Sequence, residues 1–251
     1  MTDIFAHRGA SAIAPENTMA AFRSAITEGA DGIELDVQRT RDGVIVVCHD
    51  ETVDRTSNGT GFIRDLTLDE LRTLDFSAGI DHQDKLWFGS SEPIPTLEEV
   101  LDLLKPTTLK LNIELKNSEI RYEGMEIEVD AMVMASGMAD RVLYSSFNHE
   151  SMLLLAEEGS VIPRALLYHG LVMEPWLRAK RFGADGIHPF VHLPFLDRVT
   201  ARSRREGIAV RPWTVDSDPN LTHCFKIGVD AVITNEVSRA IRIRQEEIEH
   251  G

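Results

Sequence analysis

A five-residue pattern, written three times, constrains this chain more than any other feature. Gly29-Ala30-Asp31-Gly32-Ile33, Gly183-Ala184-Asp185-Gly186-Ile187 and Gly228-Val229-Asp230-Ala231-Val232 each close a helical stretch and open an apolar one. Glycine just past a helix takes the left-handed conformation at little cost. The run behind it reads as a buried strand. Short helix-to-strand joints used repeatedly imply βα units and a parallel sheet.

The hydrophobic pattern predicts strands at Ile4–His7, Gly32–Val37, Leu109–Leu115, Val142–Phe147, Pro163–Tyr168, Gly186–Phe190, Ala209–Val215 and Ala231–Thr234. It predicts helices at Asn17–Glu28, Glu119–Ser136, Glu150–Glu158, Pro175–Phe182, Leu196–Glu206 and Pro219–Ile227. Eight such units in 251 residues match the size of a (β/α)₈ TIM barrel. A doubly wound open sheet is the alternative, but the Gly-rich fingerprint usual after its first strand is missing.

One stretch breaks the alternation. Between Val37 and Val47 two β-type runs flank Asp42-Gly43, a strong hairpin signal. Residues equidistant from a tight turn pair, so His49 returns level with Glu34, Leu35 and Asp36. Residues 51–95 then read as a small insertion, polar and Gly/Ser-rich, with a capping box at Thr67/Glu70. A second box at Thr96/Glu99 restarts the barrel helices. Leu86-Trp87-Phe88, in the insertion, reads as a packed cluster, with an exposed patch as the alternative. The run from Val237 to Gly251 reads as a solvated terminal helix. The chain is expected to form one domain, 1–251.

A net charge of −15 argues against a nucleic-acid partner or an anionic membrane surface, because both select a basic face. It leaves room for an anionic small molecule, since a few local cations or a metal outweigh the global field. The two cysteines, Cys48 and Cys224, form no CxxC motif, and no apolar run reaches the ~18 residues of a membrane span. A cytoplasmic protein without stable membrane insertion is expected, and a homo-oligomer is compatible with the sequence.

The chemistry-bearing residues fall at strand ends. Glu34 and Asp36, two apart, share one face of a strand, as do Asn112, Glu114 and Lys116 on another. In a barrel such residues face the active-site mouth. Three carboxylates in a small space repel one another, and a divalent cation with oxygen ligands, Mg²⁺ or Ca²⁺, removes that cost. His7 ends the first strand and the hairpin returns His49 to the same level. Two imidazoles there suit acid/base roles or metal ligation. Arg8 and Lys116 are candidate phosphate-binding cations. Glu16 is a candidate partner for Arg8 or His7, and Asn17 or Thr18 a candidate helix cap. Phe147, Phe190 and Trp213 fall at rim positions, with core packing as the alternative.

Taken in order, His7-Arg8-Gly9, Pro15-Glu16-Asn17-Thr18, Gly32-Ile33-Glu34-Leu35-Asp36-Val37, His49-Asp50, Asp54-Arg55-Thr56, Glu114-Leu115-Lys116, Trp213-Thr214-Val215 and Ile233-Thr234-Asn235 resemble the glycerophosphodiester phosphodiesterase family. The resemblance spans nearly the whole chain and points to the short soluble bacterial branch. It implies a TIM barrel of the phospholipase-C-like phosphodiesterase type, a divalent cation at Glu34, Asp36 and Glu114, and His7 and His49 as the acid/base pair. Arg8 and Lys116 would lie near the phosphate. The implied reaction hydrolyses a glycerophosphodiester to glycerol 3-phosphate and an alcohol. Asp216, where the family often has Asn, and His188 are departures expected to affect the rim. A phospholipase-D-type action on lysophospholipids and a non-catalytic binding barrel are the competing readings.

Overall fold

The computed structural model describes residues 1–78 and 89–250, so Leu86-Trp87-Phe88 lies outside the described residues. The chain runs through β1 (Asp3–His7), α1 (Met19–Glu28), β2 (Gly32–Arg39), β3 (Ile45–Val47), α2 (Leu68–Leu71), α3 (Leu97–Leu104) and β4 (Lys110–Leu115). It continues with α4 (Met125–Ser136), β5 (Val142–Ser146), α5 (His149–Glu157), β6 (Arg164–Tyr168), α6 (Pro175–Arg181), β7 (Gly186–Pro189) and α7 (Leu196–Arg205). It ends with β8 (Ala209–Val210), α8 (Asp218–Ile227), β9 (Ala231–Thr234) and α9 (Val237–His250). Strands pair in the order β8-β7-β6-β5-β4-β2-β1-β9, every neighbour parallel. Backbone bonds from Asp230 to Val210 (2.9 Å), Ile233 to Pro212 (3.0 Å) and Val215 to Ile233 (2.9 Å) join the two ends into a TIM barrel.

The joints behave as their sequence requires, and their aspartates do more. Gly29, Gly183 and Gly228 all have positive φ (83°, 62° and 66°). Each joint aspartate accepts a backbone N–H from the first two residues of the preceding strand: Asp31 from Ile4 (2.8 Å), Asp185 from Arg164 (3.1 Å), Asp230 from Val210 (2.7 Å). One residue type thus fixes register at three seams.

Alternation divides the strand side chains between two cores. Ile4, Ala6, Ile33, Leu35, Leu111 and Ile113 point outward and bury against helix residues such as Phe22, Leu101 and Val129. Phe5, Leu143, Ala231 and Ile233 fill the barrel interior. A Cβ at Gly32 would lie 2.6 Å from the Phe5 ring, so this glycine is what lets the ring lie inside the barrel.

The hairpin forms with register Val37↔Val47 and Arg39↔Ile45. Beyond it, Val46, Cys48, Val53, Ile63, Leu71, Phe76 and Ile94 make a small separate core. Cys48 is buried there, away from His49, and burial pushes its thiol up to about 12. Both capping boxes are present.

Three elements depart from the sequence reading. Helix α4 starts at Met125, not Glu119: Gly124 is left-handed at φ 78°, and Asn117 Oδ1 accepts the Tyr122 N–H at 2.6 Å, shaping a loop that buries Ile120 and Tyr122. The seventh barrel strand, β8, ends at Val210, because Pro212 has no N–H for the ladder. The terminal helix is not fully solvated, since Val237, Ala240 and Ile243 are buried. Among the described residues no helix is long and apolar enough to cross a membrane.

Candidate active site

The parallel β2–β4 pairing sets Asp36 beside Glu114 and Glu34 beside Asn112. Carboxylate oxygens of Glu34, Asp36 and Glu114 lie within 4.8 Å of one another, and all three residues are buried. Burial first, then the charges of Asp36 and Glu114, raises the Glu34 carboxyl well above its ordinary range. Glu114 is also raised by burial, which outweighs Lys116 beside it. Asp36 goes the other way: burial opposes its charge, but His49, Arg8 and Lys116 hold it low. Converging hard oxygen donors with uncancelled charge suit a divalent cation of the Mg²⁺ or Ca²⁺ kind. The site chemistry therefore fits the metal that the resemblance implies.

Two cations border the acids. Lys116 Nζ is 3.1 Å from Glu114 and 4.0 Å from Asp36. Burial works against its charge, and these carboxylates more than offset that. Arg8 Nη1 donates to Glu16 at 2.9 Å, and its Nε lies 3.4 Å from Asp36. Arg8 and Asn17 both sit at φ 56°, the left-handed region that costs a side-chain-bearing residue of order 1–3 kcal/mol. Each has a use there. The Arg8 N–H donates to Glu34 (3.0 Å), and Asn17 Nδ2 donates to Asp36 (2.9 Å). Thr18, not Asn17, caps α1 by accepting the Ala21 N–H.

His7 and His49 line one cavity of about 70 Å³ together with Arg8, Glu34, Glu114 and Trp213. Cys48 N–H donates to the Asp36 carbonyl (3.0 Å), which continues the hairpin pairing and brings His49 to the level of the acids. His7 Nδ1 meets Asn235 Oδ1 at 2.8 Å, while Asn235 Nδ2 donates to Asp216 at 2.7 Å. The amide orientation makes Oδ1 the acceptor, so Nδ1 carries the proton and Nε2 faces the cavity side. Burial, then Arg8, lowers the His7 ring to about 4. His49 Nδ1 bonds the Asp50 carboxylate, which Arg55 holds at 2.7 Å through Nε. Arg55 in turn donates twice to Glu16, at 2.9 and 2.7 Å. Glu16 therefore bridges Arg8 and Arg55, with no hydrogen bond to His7 among the described contacts. Burial would raise the Glu16 carboxyl, but the hydrogen bonds from Arg55 and the charge of Arg8 bring it down to about 2.

Phe147 and Trp213 line the same cavity. Phe190 packs edge-on to Trp213 at 5.7 Å. His169 also lines the cavity, stacked on Phe147 at 5.4 Å and edge-on to Trp213 at 4.6 Å. Sequence reading missed it; the signal was the inward alternation of β6, Ala165–Leu167–His169, carried one step past the strand. The other missed positions are Asn235, Asp50 and Arg55, which fix the two histidines rather than face the cavity. The two departures do not sit on the rim. Asp216 stands behind Asn235, and His188 is fully buried inside the barrel.

With this geometry in view, relatives are consistent. The model of the glycerophosphoryl diester phosphodiesterase family matches residues 7–239. A glycerophosphodiester phosphodiesterase of Caldanaerobacter subterraneus subsp. tengcongensis is 41% identical over 96% of this chain and 97% of its own. One from Bacillus altitudinis is 39% identical over 98% and 99%. A phosphodiesterase of Oleispira antarctica, solved in complex with the product sn-glycerol-3-phosphate, is 26% identical and matches 98% of this chain and 97% of its own with a TM-score of 0.82. The chain belongs to the glycerophosphoryl diester phosphodiesterase family.

Proposed function

We propose that this chain hydrolyses glycerophosphodiesters to sn-glycerol 3-phosphate and an alcohol between His7 and His49, with Arg8 and Lys116 drawing the phosphate and Glu34, Asp36 and Glu114 holding Mg²⁺ or Ca²⁺. The observation that carries this is one cavity lined by both imidazoles, Arg8, Glu34 and Glu114, with Asp36 and Lys116 packed against those acids at the same end of the barrel.

A bound cation supplies charge stabilisation at a phosphate oxygen and so lowers the barrier to attack at phosphorus. The side chains do the rest. Arg8 and Lys116 offset charge that grows on the phosphate oxygens. Each histidine has Nδ1 engaged by a fixed acceptor, so each offers Nε2 for proton transfer. One takes the proton of the nucleophile, water or the neighbouring glycerol hydroxyl, and the other returns a proton to the leaving alcohol. Phe147, His169 and Trp213 shape the wall that the substrate enters past.

The test is a coupled assay for released sn-glycerol 3-phosphate across several head groups and cations, with and without EDTA. His7→Ala and His49→Ala should each lower kcat by roughly 10²- to 10⁴-fold. If both variants turn over like wild type, the acid/base assignment is wrong.

A further inference from the structure

At the opposite, N-terminal end of the barrel lies a second cavity, of about 970 Å³. Its walls carry five cations, and four of them are spent locally. Lys110 pairs with Asp3, Arg204 donates to the Gly228 carbonyl, Lys226 faces Glu247 at 3.7 Å, and Arg244 bonds Asp31 and the Thr2 carbonyl. These contacts answer nearby acids and the exposed carbonyls where helices end.

Arg211 is different. It projects inward from just past β8, and a Cβ at Gly186 would lie 2.7 Å from its Nη1, so the glycine makes its room. Among the described residues its guanidinium has no hydrogen bond and no ion pair within 4.0 Å. Asp230, Asp3 and Asp185 favour its charge without touching it, and burial opposes that charge more strongly. The acid nearest in role, Asp230, is already engaged by the Val210 N–H at 2.7 Å. Deeper in the barrel His188 offers no bond either: among the described residues both its ring nitrogens lack a partner, and burial followed by the Arg211 charge keeps the ring neutral. A planar fork of five N–H donors, left open on a cavity of ligand size, matches a compact oxyanion.

We propose that this cavity is a second ligand site, separate from the catalytic end, that binds a phosphate group, free or as a small phosphate monoester, on the Arg211 guanidinium. Lys226, exposed at the mouth, exchanges its long 3.7 Å pair with Glu247 for the ligand and supplies the outer charge. The acidic wall residues Asp3, Asp230 and Glu247 restrict the site to a small anion and disfavour polyanions.

Calorimetric titration tests this with inorganic phosphate in one arm and glucose 6-phosphate in the other. Both arms are run on Lys116→Met, which weakens phosphate binding at the catalytic end. Binding should persist in that background and fall roughly 10-fold or more when Arg211→Gln is added. Tighter binding in the sugar-phosphate arm identifies an esterified ligand; equal affinity identifies free phosphate. Absence of binding in Lys116→Met, or unchanged affinity in the double variant, overturns the proposal. So does a loss of Tm in Arg211→Gln with no phosphate binding in its parent, which marks the guanidinium as structural. If Arg211→Gln does not fold, Lys226→Ala decides: a several-fold loss supports the site, and an unchanged affinity removes it.

Discussion

At the N-terminal end of the barrel every joint aspartate has a donor: Asp31, Asp185 and Asp230 each hold a backbone N–H of the neighbouring strand. At the C-terminal end three acids crowd within 4.8 Å, flanked by two residues in left-handed backbone, and buried polar atoms such as Asn112 Oδ1 and Ser145 Oγ lack partners among the described residues. The same side-chain chemistry serves stability below and is held away from its optimum above. Crowded, buried acids cost folding free energy, and satisfied ones contribute it.

Replacing an acid at each end tests this contrast most sharply. Glu34→Gln should lower turnover by about 10³-fold, some 4 kcal/mol of barrier, yet leave the metal-free Tm at or above wild type. Mg²⁺ or Ca²⁺ should raise the wild-type Tm and not the variant's, read by differential scanning fluorimetry with EDTA as control. A metal-free Tm that drops by several degrees would mean the triad stabilises the fold unaided.

Glu16 is the exception at the C-terminal end, a satisfied acid, and its effect comes next. Its carboxyl sits near 2 against about 4.5 when unfolded, so its stabilisation is complete above pH 4.5 and is lost as pH falls toward 2. Urea unfolding should show Glu16→Gln less stable by up to about 3 kcal/mol at pH 7, with the gap closing as the pH is lowered through that window. A gap independent of pH would trace the loss to packing instead.

Below, Asp31→Ala should cost about 1–3 kcal/mol by orphaning the Ile4 N–H and freeing Arg244, with kcat/KM within about twofold of wild type. A comparable fall in activity would show that the two ends are coupled. The smallest effect is expected at Asp216→Ala, which frees Asn235 and lets His7 turn. A loss of roughly 10-fold in kcat with KM held, beside a Tm loss no larger than that of Asp31→Ala from the orphaned Asn235 N–H, marks a positioning role, and Asp216→Asn should recover most of the kcat.

The sequence makes the barrel and the acid face legible because both rest on local periodicity. Glycine joints mark seams, and alternation puts Glu34, Asp36, Glu114 and Lys116 on one side. Counting from Asp42-Gly43 places His49. What stays hidden is what only closure creates. Asn235 reaches His7 across 228 residues of chain, and Arg55 reaches Glu16 across 39. Neither spacing carries a periodic trace. Glu119–Gly124 looks helical by composition, and the Asn117 bond to the Tyr122 N–H together with burial of Ile120 and Tyr122 holds it as a loop. His188 reads as a rim residue in the sequence; the inward parity of β7 makes it an interior one.

The aspartate seams also bear on how such a chain comes together. Each fastens a strand to the one just made, across 27, 21 and 20 residues, so a βαβ unit carries its own clasp. A nascent polypeptide leaving the ribosome can therefore lock successive units while the ring is still open, at little loop-closure cost. Only the junction of β1 with β9 has to wait for the last segment to emerge.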